Sequence, residues 1–165
     1  MNEPFRFCPR CATPLAPATQ GGRERPACPA PGCGFVHWGN PVPVVAAIVE
    51  HQGQVLLARG RGWPEKLFGL VTGFLEAGES PEAGCLREVK EELDLDGTIV
   101  SLVGAYPFEP RNELIVAYHV RATGTVRLSE ELEAYKALPP DKVRSWPFGT
   151  GLALQAWLDA RRTAG

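Results

Sequence analysis

The sequence lacks a segment that could span a membrane. No apolar run in its 165 residues approaches the about 20 residues of a transmembrane helix. Its start, MNEPFRFCPR, lacks the apolar stretch of a secretory signal. An excess of basic charge is also missing, because 17 basic and 19 acidic side chains give a formal net charge of −2. This balance argues against a generic binder of nucleic acid or anionic membranes, and we expect a cytoplasmic protein.

Two common motifs of nucleotide-binding proteins and hydrolases are absent as well. The sequence contains neither the phosphate-binding loop G-x4-G-K-[ST] nor the serine nucleophile motif G-x-S-x-G. The bulk composition is ordinary for a folded protein, with 44% hydrophobic and 22% charged residues. A chain of this length predicts one domain, or one domain with a small additional module.

Aliphatic residues are scarce in residues 1–38, which are rich in proline, glycine and cysteine. Such a segment cannot build an apolar core and needs a cross-link or a metal. Four of the five cysteines lie there as two close pairs with the spacing of zinc ligands, Cys8-x2-Cys11 and Cys28-x4-Cys33. We interpret them as a closed, structural Zn²⁺ site. Two disulfides are the alternative, which a reducing compartment disfavours.

The remaining sequence, from residue 39 to 165, alternates strand and helix patterns. Apolar runs predict strands at 43–49 and 54–58, a short strand within 67–74, and further strands at 98–106, 113–122 and 133–138. Ser80 and Pro81 begin a helix predicted to end near Asp94, and an amphipathic helix is predicted at 151–162. We therefore predict a zinc ribbon at 1–38 and a second, α+β domain at 39–165.

The predicted helix carries an unusual concentration of acids. Seven of the 19 acidic residues lie within residues 73–95. Glu88, Glu91 and Glu92 are spaced i, i+3 and i+4, so they share one face of the helix and repel one another. A solvated face would tolerate them, and a hard cation such as Mg²⁺ or Mn²⁺ would neutralise them more strongly. The remaining cysteine, Cys85, is predicted to be a buried core residue of this helix.

These residues resemble the Nudix box, G-x5-E-x7-R-E-U-x-E-E-x-G-U, in which U is a bulky aliphatic residue. The matching positions are Gly73, Glu79, Arg87, Glu88, Val89, Glu91, Glu92 and Leu95. One position departs, since Asp94 stands where the box has its second glycine. The four-cysteine segment, the sequence Trp38-Gly39-Asn40-Pro41 and the box together resemble the NADH pyrophosphatase branch of the Nudix superfamily.

The resemblance implies an α/β/α sandwich with a mixed sheet, and hydrolysis of a nucleoside diphosphate linked to another moiety. It implies that Glu88, Glu91 and Glu92 hold Mg²⁺ or Mn²⁺, with the Gly73 carbonyl as a further ligand. Glu79 and Arg87 would brace the loop and helix. The resemblance also places a metal-binding glutamate or proton acceptor near Glu131. Glu130 and Glu133 are the competing choices of register, and an exposed acidic turn is the alternative interpretation.

Substrate contacts are less well specified by the sequence. Trp63, Tyr106 and Phe108 are candidates for stacking on a base, whereas Phe68 and Phe74 are predicted to pack in the core. Candidate phosphate contacts are Arg59, Arg61 and Arg111. The branch carries a downstream motif, S-Q-P-W-P-F-P-x-S, associated with NADH. Because the corresponding residues 104–111 match only its Pro-Phe pair and a following proline, the resemblance does not fix NADH as the substrate.

The prediction from sequence is thus a diphosphatase that acts on a dinucleotide such as NAD(H), or on ADP-ribose or a nucleotide sugar. Two other hypotheses are a non-catalytic nucleotide sensor and an enzyme that removes a nucleotide cap from RNA bound by the zinc ribbon. Retention of every box acid disfavours the sensor. The branch also implies a homodimer.

Overall fold

The computed structural model describes residues 5–163, so residues 1–4 and 164–165, at the outer ends of the two predicted domains, lie outside the described part. The chain divides into two compact units, one reaching from the start to Pro41 together with Pro110–Asn112, the other comprising Val42–Glu109 and Glu113–Gly165. The domain boundary after residue 38 stays a prediction. Within residues 5–163, no helix is both long and apolar enough to span a membrane.

The first unit contains a β-hairpin that the sequence patterns did not predict. Strands β1 (Ala16–Gln20) and β2 (Arg23–Ala27) pair antiparallel across a turn at Gly21 and Gly22. Both turn glycines have positive φ, of 59° and 77°, which suits the tight turn of a two-residue hairpin. The strands combine alanine and proline with polar residues and contain none of the β-branched aliphatic or aromatic residues whose alternation marks a strand.

The second unit is built on a six-stranded mixed sheet. Its strands are β3 (Val42–His51), β4 (Gln54–Gly60), β5 (Val71–Phe74), β6 (Asp96–Phe108), β7 (Glu113–Thr123) and β8 (Leu132–Leu138). The order is β6-β7-β3-β4-β8, with β5 also on β3. Strands β3 and β7 are parallel, and the other pairs are antiparallel.

One helix covers each face of this sheet. Alternate residues of β3 feed two separate apolar clusters, because successive side chains of a strand point to opposite faces. Helix α1 (Pro81–Leu93) contributes Cys85, Val89 and Leu93 to one cluster, and α2 (Thr150–Thr163) contributes Leu154 and its neighbours to the other. The predicted α/β/α sandwich and the buried position of Cys85 are confirmed.

Local signals fix both ends of α1. The Ser80 hydroxyl accepts a hydrogen bond from the Ala83 amide at 3.2 Å, and Pro81 occupies the first turn. At the other end, Asp94 adopts a left-handed conformation with φ of 55°, and its amide donates to the Lys90 carbonyl. The departure from the Nudix box at this position therefore keeps the backbone shape that glycine would supply.

Strands β4 and β5 share one edge of β3. Residues Val49–His51 pair with β4, and Val44–Ala47 pair with β5, while β7 occupies the opposite edge throughout. An isolated bridge between Ala58 and Gly69 joins the end of β4 to the approach to β5. The sheet consequently divides beside α1, and this division positions the candidate site.

Candidate functional site

The four cysteine sulfurs of the first unit lie within 4.8 Å of one another. The Sγ–Sγ distances are 3.6 Å between Cys8 and Cys33, 3.5 Å between Cys11 and Cys28, and 3.7 Å between Cys11 and Cys33. A disulfide requires about 2.05 Å, so these thiols are not oxidised pairs. A tetrahedral zinc with bonds of about 2.3 Å holds its sulfurs about 3.8 Å apart, which the cluster matches.

Arg87 organises the acids of the second unit. Its guanidinium donates to both carboxylate oxygens of Glu79, at 3.2 and 2.8 Å, and to the Phe74 carbonyl at 3.0 Å. One terminal nitrogen also bridges Glu88 and Glu91, at 2.7 and 2.9 Å. These bonds tie α1 to the preceding loop. They hold the pKa of the Glu79 carboxyl below its usual value and raise the pKa of Arg87.

Gly73 is the point at which β5 touches the acidic face of α1. A Cβ atom placed on Gly73 would lie 1.9 Å from the carboxylate carbon of Glu88, so no other residue fits without displacing that side chain. Gly73 therefore has a packing role that the motif alone did not reveal.

Glu92 is the most perturbed acid of the group. Burial, reinforced by the nearby carboxylates of Glu88, Glu131 and Glu91, raises its pKa to about 8. Burial also raises the pKa of Glu88, against the opposing effect of Arg87. The side chain of Glu91 is 59% exposed, compared with 14% for that of Glu88. A buried carboxylate among like charges favours a bound cation or a proton.

The carboxylates of Glu88, Glu91, Glu92 and Glu131 lie near one another but do not form a tight cluster of ligand atoms. Within residues 5–163, the cysteines are the one group of three or more ligating side chains whose atoms all lie within 4.8 Å of one another. Part of the separation between the glutamates follows from Arg87, because its guanidinium binds Glu88 and Glu91. The assignment of Glu88, Glu91, Glu92 and Gly73 as metal ligands stays a prediction.

A cavity of about 260 Å³ opens beside Glu92. Its walls come from the two strands that share the edge of β3, from the loop after β4 and from the start of β8. The lining residues are Ala58, Gly60, Arg61, Trp63, Leu70, Thr72, Glu92, Glu131 and Leu132. One acid of α1 and one acid from the distant segment before β8 therefore face the same space.

The cavity distinguishes the three competing glutamates near residue 131. Glu131 lines it, whereas Glu130 and Glu133 are not among its lining residues. Glu133 instead forms an ion pair with Arg59 at 3.4 Å and accepts a hydrogen bond from the Gly62 amide. The geometry thus favours Glu131 in the register left open by the sequence.

The candidate substrate contacts fall in different places. Trp63 lines the cavity with 44% of its surface exposed. Tyr106 and Phe108 instead pack against the cluster around α2, and neither is among the residues that line this cavity. Arg111 ends a short 3₁₀ helix at Glu109–Arg111. All four assignments stay predictions.

The two phenylalanines predicted for the core behave differently. Phe68 is partly buried against the α2 cluster, with the Lys136 ammonium 4.0 Å from its ring centroid. Phe74 is 57% exposed, so its prediction as a core residue is wrong. The reason is that Phe74 ends β5, where its backbone carbonyl rather than its ring faces Arg87.

Sequence reasoning missed the polar wall that Thr72 adds to the cavity. Thr72 pairs with Ala46 in the sheet and is the one hydroxyl residue within 67–74. A polar residue inside an apolar strand is a signal that could have identified it. The contributions of Gly60 and Leu132 depend on the pairing of β4 with β8, which no local pattern specifies.

Comparison with known proteins identifies the second unit. The family model described as the NUDIX domain matches residues 39–156. A protein of Mycobacterium bovis named NAD-capped RNA hydrolase NudC is 40% identical over 79 residues, which cover 47% of this chain and 25% of that protein. A NudC of Stutzerimonas stutzeri is 27% identical over 150 residues, or 90% of this chain and 53% of that protein. The chain thus spans a quarter to about half the length of these curated relatives.

Solved structures share the fold. A crystal structure of a NUDIX hydrolase from Nitrosomonas europaea covers 96% of this chain and 93% of its own, with a TM-score of 0.77 and 21% identity. The solution structure of the E. coli ORF135 protein covers 75% of this chain and 93% of its own, with a TM-score of 0.60 and 26% identity.

Proposed function

The chain belongs to the NUDIX domain family, and on that premise we propose that it is a divalent-metal-dependent hydrolase of a nucleoside diphosphate derivative. It cleaves the diphosphate linkage and releases a nucleoside monophosphate. The observation that carries this proposal is the placement of the half-buried Glu92 and of Glu131 in one cavity, beside the acids that Arg87 organises. The names of the NudC relatives favour an NAD-derived substrate, and ADP-ribose or a nucleotide sugar is the alternative.

The metal of the reaction is Mg²⁺ or Mn²⁺ in this proposal. Carboxylate and carbonyl oxygens are the donors that both ions prefer, and a half-buried Glu92 among like charges fits a site that gains a cation. Glu88, Glu91, Glu92, Glu131 and the Gly73 carbonyl would hold it. When bound, such an ion neutralises the diphosphate and activates water for attack.

The chain's own side chains supply position and proton transfer. Arg87 keeps Glu88 and Glu91 at the end of β5, and Glu79 completes this brace from the loop. Glu131 is exposed within the cavity and is proposed to accept the proton of the attacking water. The indole of Trp63, in the cavity wall, offers a flat surface for a ring of the substrate.

A structural Zn²⁺ in the first unit completes the set of proposed cofactors. The sulfur distances and the absence of disulfides among the described cysteines support it. The Arg10 amide donates to the Cys8 sulfur at 3.4 Å, a contact that stabilises a thiolate ligand. Four sulfurs leave no open coordination position, so this ion has a structural role.

A panel of NADH, NAD, ADP-ribose and other nucleoside diphosphate derivatives, each with Mg²⁺ and with Mn²⁺, tests the proposal. We expect a nucleoside monophosphate as product and no turnover without a divalent cation. Glu92→Gln should lose at least about 100-fold in kcat/KM. Full turnover of the same substrates by Glu92→Gln would contradict the metal assignment.

Capped RNA is a second candidate substrate, which the names of the NudC relatives favour. The first unit adds a physical reason, because Arg6, Arg10, Arg23 and Arg25 outnumber the acidic side chains there. Its aromatic side chains Phe5, Phe7 and Trp38 are 54%, 58% and 49% exposed. Basic groups with exposed aromatic rings suit single-stranded nucleic acid.

Binding of NAD-capped RNA at increasing salt tests this candidate. Phosphate contacts predict an affinity that falls steeply with salt and falls again in Arg23→Ala. Binding that is absent, or insensitive to salt, would remove RNA from the proposal.

A nucleotide sensor would bind the same ligands without turnover. The expected homodimer should elute at twice the chain mass in light-scattering chromatography.

A further inference from the structure

The loop after β4 holds the segment that carries Glu131. The Arg61 amide donates to the Glu131 carbonyl at 2.7 Å, and the Arg61 Nε donates to the Glu130 carbonyl at 2.7 Å. Two short bonds from one residue thus fix two successive peptide groups. A charged donor makes a stronger hydrogen bond than a neutral one, so the guanidinium contact matters even on an exposed surface.

The same segment is attached to α1 from its other side. The Ser129 amide donates to the Glu92 carbonyl at 3.0 Å, and the Ser129 hydroxyl accepts from the Glu131 amide at 3.3 Å. Residues 129–131 therefore lie between the last turn of α1 and the loop after β4. The bonds on both sides involve Glu92 or Arg61, two residues that line the cavity together with Glu131.

The sequence offered Arg61 as a candidate phosphate contact, and the structure gives its Nε a different task. Because Nε is bonded to the Glu130 carbonyl, the side chain is held along the segment that it supports. Arg59, two residues earlier, pairs instead with Glu133. Arg59, near the end of β4, thus contacts β8 itself, whereas Arg61, in the loop after β4, contacts the segment that precedes β8.

We propose that Arg61 is a positioning residue that holds Glu131 toward Glu92 across the cavity. This inference rests on the proposed function, in which Glu131 contributes to the metal site and accepts a proton. Arg61 itself touches neither substrate nor metal in this role. It acts through the backbone of residues 130 and 131, so the loss of its side chain should loosen the Glu131 carboxylate while the fold persists.

The test measures Mn²⁺ binding by electron paramagnetic resonance, which reports on the site without requiring turnover. Arg61→Ala should weaken Mn²⁺ binding about tenfold, the low end of the loss seen when support of a metal ligand is removed. Glu131→Gln should weaken it as well. The double variant should bind as weakly as Glu131→Gln alone, because Arg61 acts only through that residue.

Kinetics supply a second readout. Excess Mn²⁺ should restore most of the kcat of Arg61→Ala, whereas Glu131→Gln should stay slow because its proton acceptor is missing. Two controls are Arg127→Ala, an exposed arginine that is not among the residues lining the cavity, and Glu130→Gln, which keeps the carbonyl that Arg61 binds. Both should bind Mn²⁺ as the wild type does.

The outcomes separate this inference from the function on which it rests. Equal Mn²⁺ affinity of Arg61→Ala and wild type, at unchanged thermal stability, would overturn the positioning role alone. Additive losses in the double variant would overturn it too, since they would show that Arg61 acts independently of Glu131. Wild-type protein that neither binds Mn²⁺ nor hydrolyses any diphosphate would overturn the proposed function and this inference together.

Discussion

Arg87 shows how one side chain can prepare a site for a cation. Its guanidinium binds Glu79, Glu88 and Glu91 and the Phe74 carbonyl, so it offsets repulsion between acids that share one helix face. Arginine suits this task because its planar fork donates in several fixed directions. A lysine would supply the same positive charge but could not donate to several acids in these fixed directions.

Replacement of Arg87 by alanine should therefore affect both stability and activity. We expect a loss of about 1 to 2 kcal/mol in the free energy of unfolding, from several hydrogen bonds at a partly exposed site. Activity should fall further than stability alone explains, and Arg87→Lys should recover little of it. Lys90→Ala is the matched control, since the ion pairs of Lys90 go to Asp94, just after α1, and to Asp96, at the start of β6, rather than to the acids that Arg87 binds. Urea unfolding and kcat/KM measure the two effects, and an active, stable Arg87→Ala would contradict this role.

Glu92 makes stability depend on pH in protein free of Mg²⁺ and Mn²⁺. Its pKa of about 8 lies above the ordinary value of 4.5, so the folded state holds a proton that the unfolded chain releases. The contribution of Glu92 to stability is full below about pH 4.5 and is lost as the pH rises to about 8, by at most about 5 kcal/mol. Urea unfolding between these pH values should show this loss in wild type and in Glu130→Gln, and a smaller loss in Glu92→Gln, where Glu88 is the remaining acid of the group with a raised pKa. A Glu92→Gln variant with the wild-type slope would refute the assignment.

At the scale of elements, the site depends on the approach of β5 to α1. The strand brings Gly73 against Glu88, and the cap at Ser80 sets where the helix begins and hence where its acids point. The division between β4 and β5 then opens the cavity next to Glu92. The proposed metal site thus requires a particular helix position as well as the right side chains.

The variant Gly73→Ala tests the close contact between β5 and α1. Its Cβ would overlap the Glu88 carboxylate, so we expect Mn²⁺ affinity and activity to fall by about tenfold or more. Gly78→Ala is the control, because Gly78 has φ of 89° and open space around its Cβ position. Both variants should lose about 1 kcal/mol or more of stability through strain, yet only Gly73→Ala should lose Mn²⁺ binding. Equal Mn²⁺ affinity in the two would show that the contact is unimportant.

Elements with strong local signals were predictable from sequence. The apolar run of β3 and the caps at Ser80 and Asp94 depend on residues close together in the chain, and the structure confirms them. The hairpin β1–β2 was missed because its strands have no buried face to produce alternation. The cavity was missed because Thr72, Glu92 and Glu131 meet only through sheet pairing between distant segments.

At the scale of the whole molecule, two units use different means of stabilisation. The second unit buries two apolar clusters on opposite faces of its sheet. The first has few buried apolar side chains, among them Cys8 and Ala27, and its four sulfurs supply the cross-link that a small segment needs. The near-neutral net charge is compatible with a phosphate substrate, since bound cations rather than excess lysine and arginine would meet the phosphate.

Zinc content tests the role of the cysteines. Wild-type protein should contain about one zinc per chain by atomic emission, and Cys11→Ser should contain far less because a site of three thiolates binds more weakly. Cys85→Ala should keep its zinc, since Cys85 is buried in the α1 cluster of the other unit. A zinc-free wild type with reduced cysteines would contradict the structural zinc site.

The central claim is that this chain cleaves a diphosphate at the acids around Glu92. Incubation of NAD with Mn²⁺ and wild-type protein, followed by chromatography of the products, tests it most directly. We predict equal amounts of AMP and nicotinamide mononucleotide from wild type, and a rate at least about 100-fold lower from Glu92→Gln. Free nicotinamide as the product, equal rates for the two proteins, or the failure of wild type to cleave both NAD and ADP-ribose under the same conditions would contradict the claim.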